Sequence, residues 1–540
     1  MLKRAIIVLV LVATVALPFL LRPRLPSAAR ADDTLVLVSP HNEAIRYEFS
    51  LGFQRWYTAK TGRTVYLDWR NVGGTSDIAR YLAGQYDASF RYLWTQKLGR
   101  IWSAGIQAAY KAPRLPADAS QADREARAEF LKSDVGCDID VFFGGGPYDF
   151  GIQARAGRLV DSGLHSLHPE WFTDATFPET VDGERYRDAG NLWFGTVLSS
   201  YGILYNKDAL QRLGFEHPPE QWSDLTDPRY FGEVALCDPT QSGSIAAAFE
   251  NVIQQRMHRR LLALRAAEPA LDVKTATARA VRQGWIDGLR LLQLAGANAR
   301  YFTDTSQKPP IDVAAGDCAV GMCIDFYGRE QQEAVRRRSP HDRLGYVSPE
   351  GGSAYSVDPI ALLRGAPHQS VAVAFIEFVL SLDGQKLWNF RTGTPGGPER
   401  FALRRLPVRK DFYDHQDWSA LRSDPEVNPY AERDALVHHD EWTAALFVQM
   451  EFIIRVMDVD THPELARAWK AVIHAPPAAR AKALQALQDL SAVDYDQALG
   501  RISKAIASKN KVEAVTLARD LGDFFRGNYG RAERFAAGRD

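Results

Sequence analysis

Hydrophobic and polar positions along this chain follow two alternating rhythms. Short runs of branched apolar residues end in a polar or glycine loop, and each loop is followed by a stretch in which apolar residues recur every three or four positions. The first unit spans Thr34–Gly62. Thr34–Val38 reads as a buried strand, Ser39-Pro40-His41-Asn42 as a turn with cap chemistry, and Ile45, Phe49, Phe53 and Trp56 as one helix face. Thr64–Trp69 predicts a second strand, Arg70–Ser76 (RNVGGTS) a Gly-rich loop, and Asp77–Gln85 a helix. Asp138–Phe143 runs as a third strand into Gly144-Gly145-Gly146-Pro147 and a helix over Tyr148–Arg158. Glu233–Cys237 leads through Asp238–Ser244 into a helix over Ile245–Arg256, and Ala319–Ile324 empties into Asp325-Phe326-Tyr327-Gly328-Arg329. Units of this kind build an α/β fold with its polar loops at the carboxyl edge of a sheet, where open sheets bind ligands.

The loops supply the candidate chemistry. Ser39, His41 and Asn42 sit at a strand's end beside a helix start. Gly74, Thr75 and Ser76, preceded by Gly73, offer backbone N–H groups and two hydroxyls, the raw material of an anion nest; the plainer reading makes Ser76 an N-cap. Ser242, Gly243 and Ser244 repeat that arrangement. Gly145 lies in a glycine run that is no dinucleotide fingerprint, because the sixth position from Gly144 is Asp149 and Pro147 donates nothing. The run reads instead as a loop that lets backbone pass close to a neighbour. Asp325, Tyr327 and Arg329 are expensive to place together in a core. Between Asp87 and Gly136 the pattern predicts a helical insertion. Residues 409–540 read as a helical extension, with His438 and His439 on a helix surface.

The order of LVLVSPHNEAI, a Gly-Gly loop, DIDVFFGGG with RAGRLVD, GILYNKDAL and PEQWSDLTDPRYFGEVALCDPTQSGS resembles extracellular solute-binding proteins of ABC importers. The group it resembles includes binders of ferric iron, thiamine, phosphonates and sugar phosphates, and the likeness runs over Thr34–Val408. It implies a two-lobed periplasmic-binding-protein fold, type II-like, with hinge strands and an interlobe cleft. Lobe 1 is then 32–200 plus 351–408, and lobe 2 is 201–350. The implied function is capture of a small oxyanion-bearing solute for an ABC permease, with no cofactor and no catalysis. An alternative is a ferric-iron binder using Tyr327 as a phenolate; known ferric binders present adjacent tyrosines, and here the neighbour is Phe326. A third reading, from another class, is a membrane-tethered enzyme or sensor subunit.

Composition narrows these choices. A chain of 540 residues with 46% hydrophobic content exceeds one compact domain. Lys+Arg 65 against Asp+Glu 66 leaves a net charge of -1, which argues against nucleic acid as a partner. The four cysteines lack paired metal spacing, and Cys237 with Cys323, both near strand ends, form the candidate disulfide. No GxxxxGK[ST], HExxH or GxSxG motif is present. Lys3 and Arg4 before the apolar run Ala5–Leu21, then Ala29-Arg30-Ala31, predict a signal peptide over 1–31 or an uncleaved N-terminal anchor, hence export to the periplasm. No other stretch is apolar enough to span a membrane.

Overall fold

The computed structural model describes residues 30–339, 341–431, 435–508 and 510–539; the predicted N-terminal apolar run lies outside them. In chain order the principal strands are β1 (Asp33–Val38), β2 (Val65–Arg70), β3 (Val141–Phe143), β4 (Phe194–Ser199), β5 (Tyr201–Asn206), β6 (Val234–Cys237), β7 (Ala299–Thr303), β8 (Val320–Ile324), β9 (Leu344–Val347), β10 (Ser356–Leu363) and β11 (Leu406–Pro407). They form two sheets, ordered β11-β4-β10-β3-β1-β2 and β7-β6-β8-β5-β9. In the first, β1 lies parallel to β2 and β3, and β10 runs antiparallel to β3 and β4. Leu35, Val36, Leu37 and Val38 are all buried, as a strand covered on both faces requires.

The helices that shape the interior are α1 (Glu43–Thr61), α2 (Thr75–Tyr92), α3 (Pro147–Ala156), α4 (Gly243–Ala267), α5 (Val273–Asn298) and α6 (Asp325–Arg338). α1 buries Ile45, Phe49 and Phe53 at the spacing that defines its apolar face. Phe49 and Phe53 pack with Phe143, Phe375 and Trp388 in the core of the first sheet. The predicted insertion contributes two helices, Ala104–Tyr110 and Gln121–Lys132, whose Tyr110 and Phe130 join the same core.

The chain passes between the sheets twice. β4 continues through Ser200 directly into β5, and β9 returns through 348–355 to β10. The two crossings are tied together where Tyr201 N donates to Ser353 Oγ at 2.7 Å. The first sheet therefore draws its strands from 33–199 and 356–407, and the second from 201–347.

The C-terminal helices do not form a separate layer. Helices between Asp440 and Ala536 share one continuous core with α4 and α5, including Trp285, Leu292, Ile453, Met457, Leu465 and Phe525. Polar contacts pin the junction: Trp469 Nε1 donates to Asn298 Oδ1 at 2.7 Å, and Trp285 Nε1 to the Val493 carbonyl at 3.0 Å.

All four cysteines are free and buried, so the Cys237–Cys323 disulfide is not formed. Cys237, at the end of its strand, packs into the large core shared with α4, whereas Cys323 joins a small separate cluster with Leu204, Ala235 and Cys318.

Candidate ligand-binding site

Between the sheets lies a cavity of about 880 Å³, within the range that small-molecule sites occupy. Among the helices that begin at its wall are five that follow sheet strands: α1, α2 and α3 from the side of the first sheet, α4 and α6 from the second. Each follows a strand's carboxyl end, so the strand-loop-helix alternation itself brings them there. A helix start leaves N–H groups without intrahelical acceptors and carries partial positive charge, and five of them favour an anion.

His41, Asn42, Gly74, Thr75, Gly145, Ser242, Gly243, Ser244 and Tyr327 line this cavity together. Asn42 caps α1, its Oδ1 accepting from Ile45 N at 3.1 Å. Ser242 caps α4, accepting from Ile245 N at 3.4 Å, with Gly243 and Ser244 beside it on the wall. Gly144 and Gly145 have φ of 92 and 115, and a Cβ on them would stand 2.5 Å from the His41 ring and 2.4 Å from Thr75 Cγ2. What that glycine run lets pass closely is therefore two side chains that line the cavity, His41 and Thr75.

Three expected residues fall elsewhere. Ser39 is buried behind the wall, its Oγ accepting from His41 N at 3.1 Å, so it shapes the turn. The cap of α2 is Gly74; Ser76 lies inside the helix and off the cavity, because Asp77 Oδ2 accepts from Gly74 N at 3.1 Å and sets the start there. Asp325 is buried and turned away, held by Arg329 Nη2 at 2.6 Å. Its loop reaches the cavity through Phe326 and Tyr327.

Arg405, for which the sequence gives no signal, is a buried cation at the cavity wall. Its Nη1 donates to Asp358 Oδ2 and its Nη2 to Ser199 Oγ, both at 2.6 Å, and its guanidinium lies 4.3 Å from the centre of the Phe326 ring. Its Nε has no hydrogen-bond partner among the described residues. Burial pushes the Asp358 carboxyl up, but Arg405 and His41 outweigh it and hold it at about 2. Burial also lowers the His41 imidazole below its ordinary value, against the pull of Asp358. A neutral His41 then donates from Nε2 to Asp358 Oδ2 at 3.3 Å and leaves Nδ1, which is buried and unpartnered, as an acceptor.

His438 corrects the helix-surface expectation. It is buried at the cavity wall, with Asp440 at 3.3 Å, Glu250 at 3.6 Å and Glu184 at 3.9 Å. Burial opposes its charge, yet those carboxylates prevail and raise its pKa to about 11. No local signal marks Arg405 or His438, because their partners arrive from segments far away in sequence.

Tyr327 bears on the ferric reading. Burial raises its phenol well above the ordinary value, away from the phenolate that Fe³⁺ prefers, and Phe326 packs against it at 4.1 Å. Among the described residues no three His, Cys, Asp or Glu side chains are grouped to hold a metal ion.

Residues 150–412 match the sequence profile of the family described as bacterial extracellular solute-binding protein. An uncharacterized protein of Haemophilus influenzae is 29% identical over 252 residues, covering 46% of this chain and 60% of that protein. The phosphoglycerate transport regulatory protein PgtC of Salmonella typhimurium is 24% identical over 191 residues, covering 35% of this chain and 39% of PgtC. The chain thus spans less than two thirds of the length of these relatives. Among solved structures, the periplasmic binding protein AfuA from Actinobacillus pleuropneumoniae, with exogenous fructose-6-phosphate bound, covers 81% of this chain and 98% of its own at 15% identity and a TM-score of 0.48. No helix among the described residues is long and apolar enough to cross a membrane.

Proposed function

We propose that this chain, which matches the bacterial extracellular solute-binding proteins over residues 150–412, is the solute-binding component of an ABC import system and holds a small oxyanion-bearing organic solute between its lobes. One observation carries the reading: the N-termini of α1, α2, α3, α4 and α6 and the buried Arg405 converge on one cavity between the sheets. The solute's oxyanion takes the N–H groups at the starts of α2 and α4 together with Arg405. His41 Nδ1 and Asn42 read hydroxyls. Because α2 belongs to one lobe and α4 to the other, a solute bound to both draws the lobes together, and its differential affinity for the closed form is what drives closure. The chain acts by binding rather than catalysis, in the periplasm, and hands its solute to a permease.

The test is a thermal-shift panel of sugar phosphates, alkyl phosphates, phosphonates, thiamine, pyridoxal phosphate and Fe³⁺. An organic phosphate at about 100 times its dissociation constant stabilises the fold by roughly 2.7 kcal/mol. Arg405→Ala abolishes that shift. A panel in which no oxyanion shifts the transition, or in which Fe³⁺ alone does so with a tyrosinate charge-transfer band, overturns the reading.

A further inference from the structure

Asp325 and Arg329, which the fold turns away from the cavity, meet a second pair of charges from the other lobe. On α6 of the second lobe, Arg329 Nη2 donates to Asp325 Oδ2 at 2.6 Å, and Glu333, one turn further, is paired with Arg337. On the first lobe, Arg404 Nε donates to Asp424 Oδ2 at 3.2 Å and its Nη2 to Asp424 Oδ1. Asp424 is fixed there by its neighbours: Ser423 N donates to the Asn389 carbonyl at 2.7 Å, and Arg422 Nε to Asn389 Oδ1 at 3.0 Å. Four contacts then cross between the lobes. Arg404 Nη1 donates to Glu333 Oε2 at 2.8 Å and to the Arg329 carbonyl at 3.3 Å. Arg329 Nη2 donates back to the Arg404 carbonyl at 3.3 Å, and its Nε stands 3.8 Å from Asp424 Oδ2.

This network is of a kind that can be made and broken. Each lobe carries its own neutral pair, Asp325 with Arg329 and Arg404 with Asp424, so separation leaves no charge unpaired. Asp325 and Asp424 are each 1% exposed with the lobes together. Desolvating such pairs cancels most of their Coulombic attraction, so the crossing contacts leave only a small net gain. The network also adjoins the anion site. Arg404 has φ 52, a left-handed backbone that a non-glycine residue keeps only when its surroundings hold it. At that bend Arg404 reaches α6, while the next residue, Arg405, reaches Asp358 and Ser199. Arg405 also lies over Phe326 in the first turn of α6, and both line the cavity. The faces that carry the network are therefore the faces that part when the cavity opens.

We infer that Asp325, Arg329, Glu333, Arg404 and Asp424 form a closure latch. They are positioning residues: none lines the cavity, and together they hold α6 against the Arg404–Arg405 bend once a solute has drawn the lobes together. The inference rests on the reading of this cavity as a solute site whose occupation closes the lobes. Asp424 lies beyond the matched residues 150–412, so the chain past the family profile takes part in setting solute affinity without facing the solute.

The experiment is calorimetric and stopped-flow titration of the full chain with fructose 6-phosphate, ethyl phosphate and ethylphosphonate, beside thermal unfolding of the unliganded chain. Glu333→Gln is expected to weaken the tightest of the three about fivefold, through faster release with capture unchanged. Its unliganded transition temperature stays at the parent value, because the crossing contacts are absent from the open form. Arg337→Gln, which removes the partner of Glu333 on its own helix, binds as the parent does. In an Arg404→Gln background, Glu333→Gln weakens binding no further; should Arg404→Gln not unfold cooperatively, the two α6 variants decide alone. A Glu333→Gln chain that binds as tightly as the parent overturns the latch and leaves the solute reading standing. A lowered unliganded transition in Glu333→Gln marks a fixed contact and overturns the latch as well. A parent chain that binds none of the three takes down the oxyanion reading and the latch together.

Discussion

Asp149 is largely desolvated on folding and gains no hydrogen bond or ion pair among the described residues, with only the charge of Arg80 acting against its burial, which makes it a measurable titrating group. Its pKa rises from 3.8 to about 6, so the folded state holds the proton more tightly than the unfolded one. Stability that it contributes is fully present below about pH 4 and is lost as the pH rises through 6. At 1.36 kcal/mol per unit, the cost above pH 6 is on the order of 3 kcal/mol. Asp149→Asn is therefore more stable than the parent at pH 7.5, and the difference between the two shrinks to nothing towards pH 4. Chemical denaturation across that range measures it, and a constant difference is the contrary result. Residues of this kind were the least legible from sequence. Ser242 and Gly74 announce themselves by standing between a strand and a helix, but Asp149 reads only as the residue that spoils a glycine motif. Its surroundings include Phe447, which stacks on the neighbouring Tyr148 from nearly three hundred positions away, and no local period encodes that.

Elements were more legible than sites, because strand and helix rhythms are local while the gaps between elements are not. Apolar runs of five or six residues gave β1, β2 and β8, and the Gly-Gly loop marked the start of α2. Side-chain competition then moved the cap by two residues, Asp77 satisfying Gly74 in place of a Ser76 cap. That small shift sets up the contact between lobes. Gly74 has φ -71, which any residue adopts, yet a Cβ there would lie 2.8 Å from the Gln241 carbonyl in the loop before α4. Gly74→Ala thus leaves the separate lobes unstrained and obstructs only their approach. It is expected to weaken the tightest phosphate of the panel about tenfold, a cost of roughly 1.4 kcal/mol, inside the usual range for an inserted methyl. The unliganded transition temperature stays put, and small-angle scattering shows a larger radius with ligand than the parent has. A Gly74→Ala chain that binds as tightly as the parent removes this contact from the closing mechanism.

At the scale of the whole molecule, the C-terminal extension is a structural part of the second lobe. Trp442, Met450, Ile453, Met457, Leu465 and Trp469 are buried in the core with α4 and α5, and each such side chain is worth roughly 1.5–3 kcal/mol of burial. Deleting residues 435–540 uncovers that core and is expected to abolish the cooperative transition seen by near-ultraviolet circular dichroism; a soluble, cooperatively folding remnant would mark the extension as separable. The sequence could show that these segments are helical, but not which surface they cover, since their apolar faces fit α5 only once α5 is itself folded. The closed bodies also conceal the sulfur. Cys137 lies in the core of the first lobe, Cys237 in that of the second, and Cys318 and Cys323 in the small separate cluster. A thiol out of reach of solvent reacts only during a local opening, so timed alkylation followed by peptide mapping becomes a set of clocks, one for each compartment of the molecule. Adding solute should slow whichever clock belongs to the body it braces, and that reports on coupling between the lobes without any engineered label.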